Sequence, residues 1–179
     1  MHLLLDADAT LAMRSLSLWQ LVLDSSAALT MTGYVARSEL TSIWSSELEA
    51  HTKSGRLRVE DVVARTPAWT RRKHLIEVEG ADKGEAEALA WVLETRPEPP
   101  PWFVSVDARA RQLAAKHEVP AFDLGELAAL LVARGLADEP VVRAKIAVWD
   151  DRAQQRGRPH AWVDLGTTFA ALLAWARTV

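Results

Sequence analysis

Four acidic residues in this sequence could together bind a metal ion. They lie far apart in the chain, but each follows an apolar run or opens a helical pattern, and they are Asp6, Glu39, Glu85 and Asp107. Carboxylates brought close together repel one another unless a hard cation neutralises them. A set of oxygen ligands without histidine suits Mg²⁺ or Mn²⁺ better than Zn²⁺. We therefore predict a divalent metal site if the fold brings these acids together.

The order of apolar runs and helical segments predicts an α/β fold that would do so. Buried strands are expected at His2 to Leu5, Leu29 to Val35, Trp102 to Val106 and Val119 to Phe122. A further segment, Leu57 to Val59, is ambiguous between a short strand and a turn. Helical periodicity fills most of the sequence between them, which is typical of a parallel sheet flanked by helices. Ligands bind at the carboxyl edge of such a sheet, so the acids are expected to converge there.

Each acid also has a purely structural interpretation. Asp6 and Asp107 could cap the helices that follow them, and Glu39 could be an exposed acid on a helix. The sequence Asp82-Lys83-Gly84-Glu85 has the spacing of a capping box, which would explain Glu85 without any chemistry. The metal site is therefore predicted from the set of acids and not from any one of them.

Composition limits the kind of partner that the protein can bind. A formal net charge of −3 and a pI near 6.0 argue against a broad basic surface, so any contact with nucleic acid is expected to be local. Small basic clusters occur at Arg71 to His74 and between Arg152 and His160, and solvated helix faces would explain both. The chain has no cysteine and no apolar run of membrane-spanning length, so we expect a cytoplasmic protein without a membrane segment.

Several stretches of the sequence resemble, in order, the successive motifs of the PIN domain family. The stretches are Leu3-Leu4-Leu5-Asp6, Val35-Ala36-Arg37-Ser38-Glu39-Leu40, Gly84-Glu85-Ala86-Glu87-Ala88-Leu89-Ala90 and Ser105-Val106-Asp107-Ala108-Arg109-Ala110-Arg111. The stretch Val119 to Leu136 also resembles the end of PIN proteins related to VapC toxins. The resemblance covers roughly residues 1–136, and residues 137–179 are expected to form a C-terminal helical extension.

The resemblance implies a three-layer fold and a metal-dependent ribonuclease, often the toxin of a toxin–antitoxin pair and often a homodimer. RNA would be the substrate, and a small antitoxin protein would be a further partner. Asp6, Glu39, Glu85 and Asp107 would be the ligands of Mg²⁺ or Mn²⁺, with Ser105 as a small hydroxyl residue beside them. The resemblance leaves the choice between Glu85 and Glu87 open.

Two alternatives compete with the nuclease. Residues 3–11 also satisfy the hydrophobic-DxDxT opening of haloacid-dehalogenase-like phosphatases, in which Asp6 would be the nucleophile and Asp8 the general acid/base. That chemistry also requires a downstream lysine and a pair of acids near a later strand. After Ser105, by contrast, Asp107 has Ala108 beside it, and Arg111 follows four positions on. A catalytically degenerate PIN-like interaction module is the other alternative, because Val106 stands where relatives often have an acid.

An apolar stripe marks the last predicted helix, Val163 to Arg177. Phe169, Leu172, Leu173 and Trp175 recur along one of its faces. We expect this stripe to dock on the core of its own chain, since terminal helices usually stay ordered only when docked. Packing against a second copy or a partner helix is the alternative.

Overall fold

A five-stranded parallel sheet forms the centre of the protein in a computed structural model that describes residues 1–15, 17–150 and 165–179. The strand order is β3-β2-β1-β4-β5. The strands are β1 His2–Leu5, β2 Ala28–Thr32, β3 Leu57–Glu60, β4 Trp102–Val104 and β5 Ala121–Phe122. Every neighbouring pair is parallel, with Leu3 beside Leu29 on one side and beside Trp102 on the other. The predicted α/β class with a parallel sheet is therefore confirmed, and the ambiguous Leu57 segment is an edge strand.

Helices connect the strands and cover both faces of the sheet. They are α1 Ala7–Ser15, α2 Trp19–Asp24, α3 Thr41–Lys53, α4 Pro67–Glu77, α5 Lys83–Thr95, α6 Ala108–Lys116, α7 Leu124–Ala133, α8 Glu139–Asp150 and α9 Leu165–Ala176. A π-helical turn, Val35–Glu39, precedes α3. Local sequence signals set several of the boundaries: Pro67 stands in the first turn of α4, and the Thr66 hydroxyl accepts a hydrogen bond from the Trp69 amide at 3.3 Å.

Side chains that alternate along the strands divide the core into two layers. In β1, Leu3 and Leu5 join one buried cluster, whereas Leu4 joins the other. Val104 and Phe103 of β4 divide in the same way, because successive side chains of a strand point to opposite faces. The sheet is thus buried on both faces, as is usual for parallel sheets, and the fold has three layers.

Several predicted boundaries differ from the structure, and the strand expected at Val119 to Phe122 covers only Ala121–Phe122. The strand expected to run to Val35 ends at Thr32, because the backbone enters the π-helical turn after Tyr34. The strand expected to run to Val106 ends at Val104. Glu39 closes the π-helical turn and does not begin a helix, since α3 starts at Thr41.

The two C-terminal helices pack on α7. Phe169, Leu173 and Ala176 of α9 are almost fully buried in the same cluster as the β1 side chains Leu3 and Leu5. The expected docking of this helix on its own chain is therefore confirmed for 165–176. Residues 151–164, which include part of the predicted C-terminal extension and the start of its last predicted helix, lie outside the described residues. Within the described ranges, no helix has both the length and the apolar character that a membrane crossing requires.

Candidate metal centre

Asp6 leaves the carboxyl end of the central strand β1, between its neighbours β2 and β4. Its amide donates to the Val104 carbonyl at 3.2 Å, which continues the pairing of β1 with β4 by one residue. Its carboxylate accepts hydrogen bonds from the Ala7 amide and from the Ser105 hydroxyl, both at 2.8 Å. The residue is 7% exposed. Asp6 is therefore held rigidly at the point where the strand order reverses, which is where open α/β sheets bind ligands.

Ser105 connects Asp6 to Asp107. The Ser105 hydroxyl donates to Asp6 Oδ2 and also accepts a hydrogen bond from the Asp107 amide at 3.2 Å. Asp107 caps α6, because its Oδ1 accepts from the Arg109 amide at 2.7 Å. The capping interpretation of Asp107 is thus confirmed, and it does not remove the residue from the site, because Asp107 also lines the same cavity as Asp6.

Glu85 also combines a structural contact with a place in the site. The Asp82 amide donates to Glu85 Oε2 at 3.3 Å, which is the reciprocal half of the expected capping box at the start of α5. Glu85 is 8% exposed and lines the cavity together with Asp82. Asp82 is therefore an additional acid of the site, which the sequence indicated only as a helix cap.

Glu39 reaches the cavity from the end of the π-helical turn. Its carboxylate lies against Gly84, where an added Cβ would stand 2.7 Å from Glu39 Oε2 and 3.1 Å from Oε1. These distances are too short for a non-bonded contact, so any side chain at position 84 would displace the carboxylate. The absence of a side chain at Gly84 thus makes room for Glu39 next to Glu85.

Glu87 faces away from these acids. Its Oε2 accepts a hydrogen bond from the Tyr34 amide at 2.6 Å, just before the π-helical turn that carries Glu39. Glu87 is 7% exposed and does not line the acidic cavity. The geometry therefore places Glu85 at the cavity and gives Glu87 the role of fixing the backbone near Glu39.

These residues surround one cavity of about 310 Å³, which we call the acidic cavity. Six of its eight lining residues are acids, and the full set is Asp6, Ala7, Asp8, Leu11, Glu39, Asp82, Glu85 and Asp107. The structure thus brings together all four acids singled out from the sequence. No basic side chain is among the lining residues.

The crowding and burial of these acids raise three of their pKa values. Burial raises the pKa of Asp6 to about 6, against the hydrogen bonds from Ser105 and Ala7, which lower it. Partial burial of its carboxylate, followed by repulsion from Asp6 and other acids, raises the pKa of Glu39 to about 7, although the residue as a whole is exposed, as one interpretation of the sequence expected. Burial likewise raises the pKa of Glu85 to about 7, while the Asp82 amide opposes the shift. The cavity therefore disfavours its own negative charge unless a cation enters.

The acids line the cavity without forming a ready coordination shell. Among the described residues, no group of three or more histidine and acidic side chains is arranged so that it could hold a metal ion. Holding a cation therefore requires side-chain movement inside the cavity. The donor set itself, carboxylate oxygens only, fits a hard divalent cation.

The basic cluster Arg71 to His74 lies outside this cavity. Arg71 pairs with Glu94 at 3.0 Å, and the Arg72 guanidinium lies 5.3 Å from the centre of the Trp69 ring. These side chains make contacts within the chain, as expected for a structural helix face. The second basic cluster, between Arg152 and His160, lies outside the described residues.

Comparison of the chain with protein-family profiles, with curated proteins and with solved structures finds no match.

Proposed function

We propose that this protein is a divalent-metal-dependent ribonuclease that hydrolyses RNA phosphodiester bonds at the acidic cavity. Asp6, Glu39, Glu85 and Asp107 are the ligands of Mg²⁺ or Mn²⁺. The observation that carries the proposal is the convergence of these acids on one cavity that no basic side chain lines. The likeness of the four motifs to the PIN domain family supports the choice of reaction.

The chain's own residues supply charge and position. Asp6 is fixed by Ser105 and Ala7, so it offers a carboxylate with little freedom to move. Glu39 would have room to adjust to a cation, because Gly84 leaves space for its carboxylate, and Glu85 would hold the cation from the start of α5. When bound, the cation favours deprotonation of the attacking water and stabilises the charge that develops on the scissile phosphate.

The raised pKa values fit this role. At neutral pH, the glutamates are near the midpoint of their titration when no cation is present. An entering cation favours their ionised forms, so binding releases protons and becomes tighter as the pH rises. The nuclease is therefore expected to gain activity between about pH 6 and pH 8.

The phosphatase alternative has weaker support. Asp8 does line the acidic cavity beside Asp6, as that alternative requires. However, a phosphorylated aspartate also needs a lysine or arginine next to it, and none lines the cavity. We therefore assign Asp8 no part in the reaction.

The test of the proposal is the Asp6→Asn variant, assayed on 5′-labelled single-stranded RNA with Mg²⁺, with Mn²⁺ and with EDTA. The wild type should cleave only with a divalent cation. The variant keeps the size of Asp6 and should lose about 10³-fold or more in cleavage rate, because charge at the cation is lost. Cleavage that persists in EDTA, or an unchanged rate in the folded variant, would contradict the metal-site assignment.

A toxin–antitoxin role and a homodimer are further predictions from the resemblance, and a cytoplasmic location is a further prediction from the composition. A short neighbouring gene for a DNA-binding protein would support the toxin role. Mass measurement in solution would test the homodimer.

A further inference from the structure

A second cavity adjoins the acidic cavity. It has a volume of about 440 Å³, and Glu85 lines both, so the two spaces share one wall. The segment from Val78 to Ala81 forms one side, and the other side is a face of α6 that carries Arg109, Gln112, Leu113 and Lys116. Residues three, four and seven positions apart lie on the same face of a helix, so these side chains present one continuous surface.

Two cations, Arg109 and Lys116, and two acids, Glu79 and Glu85, line this cavity. The Arg109 guanidinium lies against Gly80, where an added Cβ would come within 2.6 Å of Nη2. Arg109 forms no ion pair with any described residue, so its charge is available to a ligand. Lys116 donates to Glu79 Oε2 at 2.6 Å, so its charge is already paired within the chain and Arg109 is the cation left for a ligand.

The same cavity also has an apolar part. Val78 is 70% exposed, and few large hydrophobic residues in the described part of the chain have so much accessible surface. Leu113 lines the cavity near it and is partly buried against the core. Gln112 adds an amide that can both donate and accept hydrogen bonds. A ligand with an anionic group, an apolar face and polar edges matches this combination, and a nucleotide has all three.

We propose that this second cavity binds the nucleotide next to the scissile bond of a single RNA strand, with Arg109 contacting its phosphate and Val78 and Leu113 contacting its base or ribose. The proposal rests on the ribonuclease function for the identity of the strand. The acidic cavity repels phosphates when no cation is bound, so affinity for the strand has to come from neighbouring cations. Arg109 is placed to supply it, because it lines the cavity that shares Glu85 with the site of cleavage.

The experiment measures binding of a fluorescein-labelled oligouridylate by fluorescence anisotropy, in EDTA and over a series of salt concentrations. Arg109→Ala should weaken binding about 5–10-fold and reduce the slope of log affinity against log salt by about 0.7, since one phosphate contact of a single strand is lost. Arg109→Lys should recover part of the affinity. Arg58→Ala is the matched control, because Arg58 is exposed on the edge strand β3, at the opposite end of the sheet.

Equal affinities and slopes for Arg109→Ala and Arg58→Ala would overturn the proposal, and so would a wild type that does not bind the oligonucleotide at low salt. Binding in EDTA does not depend on cleavage. If binding depends on Arg109 but no divalent cation supports cleavage, the nucleotide site stands and the nuclease proposal fails. If a divalent cation supports cleavage but Arg109→Ala binds and cleaves like the wild type, the nuclease proposal stands and the nucleotide site fails.

Discussion

The surroundings shift the pKa of Glu79 and the pKa values of the acids in the acidic cavity in opposite directions. Glu79, whose side chain is 7% exposed, accepts hydrogen bonds from Lys116 at 2.6 Å and from His117 at 3.0 Å. The hydrogen bond from Lys116 is the main cause that lowers the pKa of Glu79. In the acidic cavity, by contrast, burial and neighbouring acids raise the pKa values of Asp6, Glu39 and Glu85.

The comparison shows which acids have their counter-charge within the chain. Glu79 accepts hydrogen bonds from Lys116 of α6 and from His117, the residue after it. Its negative charge therefore contributes to the stability of the fold. The acids of the acidic cavity have no basic residue among the cavity's lining, so the chain's own side chains do not compensate their charge there. A carboxylate cluster that is unfavourable on its own is what a cation-binding function requires.

Among substitutions that leave every proposed ligand in place, the largest effect is expected from Gly84→Ala, which displaces a carboxylate of the acidic cavity. The new Cβ would stand 2.7 Å from Glu39 Oε2 and force that carboxylate to move. We expect the rate of metal-dependent RNA cleavage to fall about 10–100-fold, as misplacement of a catalytic group by about 1 Å can cost this much. Thermal denaturation should show no loss of stability, because alanine favours the helix more than glycine does.

A double variant shows whether this effect acts through Glu39. Glu39→Gln should itself slow cleavage, and adding Gly84→Ala to it should cost little more, because the displaced group has already lost its charge. Independent, additive losses in the double variant would contradict the positioning role of Gly84.

A smaller effect, on stability, is expected from Glu79→Gln. The neutral amide leaves Lys116 and His117 without their acidic partner, so the free energy of unfolding at pH 7 should fall by about 1–2 kcal/mol. Because the pKa of Glu79 is lowered in the folded state, this contribution should disappear as the pH falls through that pKa. Urea denaturation of this variant and of Glu77→Gln, an exposed acid on the same helix as His74, measures the difference. Equal losses in both variants would contradict the assigned role of Glu79.

The smallest effect is expected from Asp8→Ala. Asp8 lines the acidic cavity but is not among the proposed metal ligands, so cleavage of RNA should stay within about 3-fold of the wild-type rate. The same variant should be assayed on p-nitrophenyl phosphate. Wild-type hydrolysis of this phosphomonoester that disappears in Asp8→Ala would favour the phosphatase and contradict the nuclease.

Local patterns in the sequence were sufficient to predict the sheet and the position of Asp6. The apolar run His2 to Leu5 is short, continuous and followed by an acid, and the structure has a buried central strand there. The start of α5 was also predicted, since Asp82 and Glu85 have capping-box spacing. In each case the signal is contained within a few neighbouring residues.

Features that depend on distant contacts were not predictable in the same way. The π-helical turn before Glu39 is fixed partly by the hydrogen bond from the Tyr34 amide to Glu87, which joins residues 53 positions apart. That bond also separates Glu87 from Glu85, a choice the sequence left open. Asp82 was interpreted only as a cap, because nothing in its local sequence shows that the start of α5 borders the cavity.

The proposed function depends on the uptake of a cation from solution by the acidic cavity, whose lining holds no basic side chain. Its most direct test is the melting temperature of the wild type and of Asp6→Asn between pH 5 and pH 8, with EDTA and with millimolar Mg²⁺ or Mn²⁺. The folded pKa values of Asp6, Glu39 and Glu85 are raised above their ordinary values, so the folded state binds more protons than the unfolded state over this range. In EDTA, the melting temperature of the wild type should therefore fall as the pH rises through about 6 to 7, because the acids then lose the protons that stabilise the folded state.

The difference in melting temperature between the wild type and Asp6→Asn removes the contribution of titrating groups outside the acidic cavity. In EDTA, Asp6→Asn should lose less stability than the wild type as the pH rises, and at pH 8 it should melt a few degrees higher. Millimolar Mg²⁺ or Mn²⁺ should raise the wild-type melting temperature at pH 8 by several degrees, raise it less at pH 5, and raise that of Asp6→Asn little at either pH. If the melting temperatures of the wild type and Asp6→Asn depend identically on pH in EDTA, or if the cation stabilises both equally, cation binding at the acidic cavity is contradicted.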